Sequence, residues 1–222
     1  MRKQALLLAL TLPASVFPVT AIAGQHLIEF KSERRGDTFQ RHFAELHSAW
    51  GQQGIGILNT TLELNGTTTA LGTATNIHPG FSYLMPVTKT LLLGPAAKYN
   101  YIAGKKDAIK AGIAFAYTGF ESIQMGGQIR YDHQLGNNSF DLVRSDLIVG
   151  FPLLEDSYLN TTSTNMNPVE GDNGSWQEYE LEFKYTGFEG IHPYLGTTIT
   201  TDNDPLGQGD NAIIAGFYVP FS

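Results

Sequence analysis

Hydrophobic and polar residues alternate along most of the chain after residue 24. The clearest case is Gln177–Tyr185. Tyr179, Leu181, Phe183 and Tyr185 share one parity there, and Glu178, Glu180, Glu182 and Lys184 the other. A period of two places them on opposite faces of one strand. Ile123, Met125, Ile129 and Tyr131 alternate in the same way with Gln124, Gln128, Arg130 and Asp132. Leu147, Val149 and Phe151 do so beside Arg144, Asp146 and Gly150. Ile213, Ala215, Phe217, Val219 and Phe221 make one face of the last segment. No stretch sustains the 3.6-residue period of an amphipathic helix.

Turn residues divide the pattern into segments near 26–34, 39–50, 54–64, 73–85, 89–101, 107–117, 120–133, 140–151, 153–162, 175–186, 190–201 and 211–221. The breaks alternate in character. Gly51–Gln53, Val87–Thr88, Thr118–Gly119, Pro152 and Gly187 are short. Gly66–Gly72, Gly104–Lys106, Leu135–Ser139, Asn165–Gly174 and Asp202–Asp210 are mostly longer and more polar. Tight turns on one side and loops on the other predict an all-β fold, a transmembrane antiparallel β-barrel of twelve strands. A soluble sandwich or lipocalin-like barrel shows the same alternation. The membrane barrel is preferred on three features: aromatics near segment ends, opposite charges on the polar faces, and the amphipathic terminal strand Phe217–Ser222. The five residues Tyr117–Glu121 recur as Tyr185–Glu189, four strands on, both at short turns. Aromatics so placed mark one membrane interface. Across the hairpin at Leu135–Ser139, opposite charges favour pairing Arg130 with Asp146 and Asp132 with Arg144.

The N-terminus differs from the rest. Arg2 and Lys3 precede the apolar run Ala5–Leu12, and Ala21-Ile22-Ala23 follows. This describes a secretory signal peptide over 1–23 and a mature chain over 24–222. Without Arg2 and Lys3, 12 basic residues face 21 acids, a net charge of −9. That balance argues against a nucleic-acid partner. The 16% charged and 11% aromatic content argues against disorder. With no Cys, disulfide staples and Cys-ligated zinc are excluded.

Candidate chemistry is sparse. His26, His42, His47, His78, His133 and His192 form no metal-spaced pair, and no metal or other cofactor is expected. Asp202–Gly207 faintly resembles a calcium loop, but Leu206 stands where an oxygen ligand belongs. A solvated loop, or carboxylates bridging divalent ions to lipopolysaccharide, fits better. No G-x-S-x-G motif is present, and no catalytic residue is assigned. A barrel hydrolase and a non-conducting structural or adhesive barrel remain the alternatives to a channel.

Several stretches resemble the oligogalacturonate-specific monomeric porins of the KdgM type. They are Asn76–Tyr83, Ile109–Phe115, Gly127–His133, Arg144–Leu147 and His192–Leu195. The resemblance implies a twelve-stranded bacterial outer-membrane barrel, monomeric, set in outer-membrane lipid and lipopolysaccharide. It also implies passive uptake of acidic oligosaccharides past lumen-facing Arg and Lys. Basic residues on lumen parities are Arg41, Lys98, Lys110, Arg130, Arg144 and Lys184. Asp132, Asp146, Glu178, Glu180 and Glu182 share that face, and Tyr194 is placed to stack on sugar rings. The chain departs from the family by its excess of lumen acids, by Ala212, Ile214 and Tyr218 at positions where arginines are usual, and by ending in Ser222. The expected solutes are small, acidic oligosaccharides, with a weaker anion preference than the family's.

Overall fold

A computed structural model describes residues 22–221 apart from 36–38, 53–54, 70–71, 103–106, 137–140, 170–173 and 202–210. Most of the leader reading, the Asp202–Gly207 loop and Ser222 therefore lie outside the described residues. Twelve strands follow in order: β1 (Ile22–Arg35), β2 (Phe39–Gln52), β3 (Gly56–Thr69), β4 (Gly72–Pro86), β5 (Leu91–Ile102), β6 (Ala108–Tyr117), β7 (Gln124–Gln134), β8 (Leu142–Leu154), β9 (Ser157–Pro168), β10 (Trp176–Tyr185), β11 (His192–Thr200) and β12 (Ala212–Phe221). Each pairs antiparallel with the next, and β12 closes on β1. Closure leaves no open sheet edge, so the strands satisfy one another's backbone groups around the whole ring.

The side-chain period then decides what faces where. Leu181, Phe183, Leu147, Ile129 and Ile213 point outward and are 43–71% exposed. Their neighbours Glu180, Glu182, Arg144, Asp146 and Arg130 point inward. A soluble barrel has the opposite arrangement, whereas an apolar exterior around a polar interior suits a bilayer. Aromatics ring the exterior at both ends. Trp50, Tyr83, Tyr117, Tyr185 and Phe221 lie toward the turn end, and Tyr99, Tyr101, Tyr131 and Tyr179 toward the loop end. At the loop end the Tyr131 hydroxyl donates to Asp141 at 2.5 Å, and His133 Nδ1 lies 2.9 Å from the same carboxylate. These two contacts, Tyr131 first, hold the Asp141 carboxyl below its ordinary range.

The recurring pentapeptide folds twice into one geometry. Tyr117 and Phe120 meet edge to face at 5.1 Å, as do Tyr185 and Phe188. Each tyrosine covers the following glycine so closely that a Cβ on Gly119 or Gly187 would lie 2.3 or 2.2 Å from the phenol oxygen. Thr118 N and Thr186 N anchor the turns to Thr90 O and Asp156 O. These connections run from 118 to 123 and from 186 to 191, longer than the pattern suggested.

Three further details differ from the sequence reading. Pro152 is not a turn: β8 runs through it to Leu154, and the reversal falls at Glu155–Asp156. The ladder shifts register between Pro152 and Leu154, an irregularity that accommodates a residue unable to donate. Polar residues of 66–69 and 72 belong to β3 and β4 and not to a loop. The β7–β8 register sets Arg130 opposite Arg144 and Gln128 opposite Asp146, which overturns the expected Arg130–Asp146 pairing. The reason is that each arginine is neutralised along its own strand. Arg130 Nε donates to Asp132 at 2.7 Å and Arg144 Nε to Asp146 at 2.7 Å. Opposite pairing is not needed when partners two residues apart share a face.

A charge on the outer face tests this parity. Leu181→Arg is expected to lower unfolding stability by about 2–4 kcal/mol in urea titrations of the vesicle-refolded barrel. Thr162→Arg, on the inner face of the neighbouring strand, is expected to cost less than half of that.

Candidate functional site: the charged lumen

Lumen-facing acids are Glu29, Glu33, Glu45, Glu63, Asp132, Asp146, Glu178, Glu180 and Glu182. Lys31, Arg35, Arg41, Lys98, Lys110, Arg130, Arg144 and Lys184 face them in nearly equal number. Of the β1 to β3 residues in this set the sequence reading found Arg41 and missed Glu29, Lys31, Glu33, Arg35, Glu45 and Glu63. Their alternation, Glu29-x-Lys31-x-Glu33-x-Arg35, was the signal available to find them.

The charges are sorted around the ring. Lys98, Lys110, Arg130 and Arg144 stand on the adjacent strands β5 to β8, with only Asp132 and Asp146 among them. Acids predominate on β10 and β1 to β3, the opposite arc. A chamber of about 390 Å³ lies between, lined by both arcs. That is the scale of a small-molecule site. It is lined by Glu29, Glu45, Glu180 and Glu182 on one side and Lys98, Lys110, Arg130 and Arg144 on the other.

Two long bridges cross the sector of short side chains. Lys31 Nζ reaches Glu180 at 3.2 Å and Arg35 Nη2 reaches Glu178 at 3.1 Å, both from β1 to β10. They span β11 and β12, whose inward residues include Gly196, Thr198, Ala212, Ile214 and Gly216. Thr198, Ala212 and Ile214 are only 1% exposed. Salt bridges thus occupy the space that small residues leave. On the other arc, Lys98 Nζ donates to Glu63 at 2.6 Å and Lys110 Nζ lies 3.6 Å from Asp132. Arg41 Nη2 donates to Glu33 at 2.8 Å and its guanidinium covers the Phe43 ring.

Asp146 is the hub of the basic arc. It accepts from Arg144 Nε, Thr164 Oγ1 and Gln128 Nε2, each at 2.7 Å, and Arg130 Nη1 lies 3.5 Å away on the diagonal. Two expected lumen residues are not presented to a solute. Tyr194 packs at 4.9 Å from Tyr218 over Gly216, donates to Glu29 at 2.5 Å, and is 2% exposed. A Cβ on Gly216 would lie 2.5 Å from that tyrosine ring, so the glycine makes the room. Lys184 is fully buried, its ammonium 5.4 Å from the Tyr218 ring centre and 5.9 Å from that of Tyr158.

Much of the turn end of the lumen is apolar, although Lys184 and His192 are buried at the same end on β10 and β11. Leu27, Ala49, Ile57, Leu84, Leu92, Ala116 and Ile148 belong to one cluster and are 0–6% exposed. Together they form a floor beneath the charged chamber, and sequence alternation alone did not reveal it. These residues sit on the otherwise polar parities, most of them near the turn ends of their strands.

Asp146→Ala removes the shared acceptor of four neighbours. It is expected to lower unfolding stability by about 1–3 kcal/mol, and Asp146→Asn by less, in urea titrations.

No protein-family description matches the chain, and no curated protein matches it in sequence. Solved structures do match in fold. The NanC porin superposes with a TM-score of 0.73 at 12% identity, over 86% of this chain and 98% of that one. The KdgM porin, also solved in complex with disordered oligogalacturonate, gives 0.64 at 9% identity over 88% and 99%. The COG4313 outer membrane channel from Pseudomonas putida F1 gives 0.65 at 8% identity over 93% and 97%. At these identities the likeness is one of fold: a closed antiparallel barrel of twelve strands, shared with outer-membrane porins.

Proposed function

We propose that the chain is a bacterial outer-membrane porin for passive diffusion of small, polar oligosaccharides, acting as a single barrel in lipid and lipopolysaccharide. The observation that carries this reading is the chamber between a basic and an acidic arc inside an apolar-faced barrel. Facing walls of opposite charge create a transverse field, and low-dielectric surroundings focus it. Such a field orients a solute's carboxylates toward Lys98, Lys110, Arg130 and Arg144 and its hydroxyl donors toward the glutamates. It favours anions less than an all-basic lumen does. The likeness to porins supports this reading, and the oligogalacturonate complex of the KdgM porin makes uronate oligosaccharides the first solutes to try. Residues 1–23 serve as the export signal, and the barrel has its tight turns on the periplasmic side.

Selectivity tests the two arcs separately. In planar bilayers, Lys98→Gln with Lys110→Gln is expected to move the reversal potential toward cation selectivity, and Glu180→Gln to move it the other way. Equal and unchanged potentials in both would remove the field from the account.

The apolar floor favours a second reading, a barrel that does not conduct. Narrow hydrophobic stretches gate by excluding water. Leu27→Ala with Leu84→Ala widens the floor, and about a twofold or greater rise in single-channel conductance is expected if the floor is the narrowest point of an open path.

A further inference from the structure

Glu29, Glu45 and Glu63 stand directly opposite one another on β1, β2 and β3. Like charges so placed repel. Lys98 neutralises Glu63 at 2.6 Å but lies 3.9 Å from Glu45. Beside the other two carboxylates is His47, two residues along β2 from Glu45. His47 is 9% exposed, and neither of its ring nitrogens has a hydrogen-bond partner. Its Nε2 lies 3.7 Å from Glu29 Oε2 and 3.8 Å from Glu45 Oε2. A buried imidazole that makes no hydrogen bond, with two carboxylates just beyond hydrogen-bond reach, is costly as it stands.

The spacing suits a metal ion better than a hydrogen bond. Three donor atoms, one from each residue, lie within 4.8 Å of one another. Tetrahedral zinc with bonds of about 2.0–2.2 Å holds its ligand atoms about 3.3–3.6 Å apart. The two imidazole–carboxylate distances need contract by only a few tenths of an ångström, and the two carboxylate oxygens, within 4.8 Å of each other, by at most about an ångström. Glu29 is already oriented, since Tyr194 donates to its Oε1 and leaves Oε2 to face His47. A hydrogen-bonded second layer of this kind is usual behind metal ligands. All three residues line the chamber, so the fourth position opens to lumen water. One imidazole with two carboxylates selects a zinc-class ion over calcium or magnesium, which take oxygen ligands.

We propose that Glu29, Glu45 and His47 form a binding site for a first-row divalent cation in the lumen wall, with water or a solute oxygen as fourth ligand. No local motif marks the site, because the ligands come from two strands and Glu29 lies 18 positions from His47 in the chain. The proposal does not depend on conduction, because binding is read without a membrane.

Calorimetric titration of the detergent-refolded, chelator-treated full barrel with zinc chloride is the test. One saturable site per barrel is expected, with calcium binding at least about tenfold more weakly. Glu45→Gln and His47→Ala are each expected to weaken zinc at least about tenfold, while His133→Ala, on the outer face, leaves it unchanged. Should His47→Ala fail to refold, as judged by heat-dependent gel mobility, the nearly isosteric Glu45→Gln decides alone. Absence of saturable zinc binding, equal affinity in the folded variants, or calcium binding as tight as zinc would each overturn the proposal.

Discussion

The hydrocarbon core of a bilayer offers no hydrogen bonds, and every other feature of this chain follows from that. Backbone groups must pair internally, so the strands close into a ring. Once closed, the two-residue period fixes a lipid face and a lumen face on every strand at once. Leu181 and Phe183 cannot be outside unless Glu180, Glu182 and Lys184 are inside. The interior is therefore crowded with charge as a consequence of an apolar exterior, and the structure has to neutralise it.

Neutralisation takes three forms. Neighbours two residues apart share a proton-rich and a proton-poor group, as in Arg130–Asp132 and Arg144–Asp146. Long side chains bridge across short ones, as Lys31–Glu180 does above β11 and β12. Aromatic rings cover the buried ammonium of Lys184. In a wet lumen each pair is individually weak. Their arrangement still leaves basic residues on β5 to β8 and acids on β10 and β1 to β3. That residual separation, and not net charge, is what a passing solute would feel.

Much of the fold was legible because the alternation is strict. Segments such as 175–186 and 211–221 lie within a residue or two of β10 and β12. The hairpin register was not legible, since intrastrand partners removed the cross-strand preference on which the expectation rested. Pro152 misled because proline marks turns more often than bulges, yet here the strand bends through it. The site was half legible. Lysines and arginines could be placed on a face by parity, but the burial of Tyr194 over Gly216 depends on a neighbour 22 residues away. The apolar floor depends on residues of seven strands converging, which no local pattern reports.

Single-channel recording of the wild-type barrel in planar bilayers, with uronate and neutral oligosaccharides added, tests the central claim most directly. The account predicts discrete conductance steps that oligosaccharides reduce in a concentration-dependent way, uronates somewhat more than neutral sugars of equal length. Folded, inserted barrels that pass no current, or current indifferent to every oligosaccharide, would contradict it.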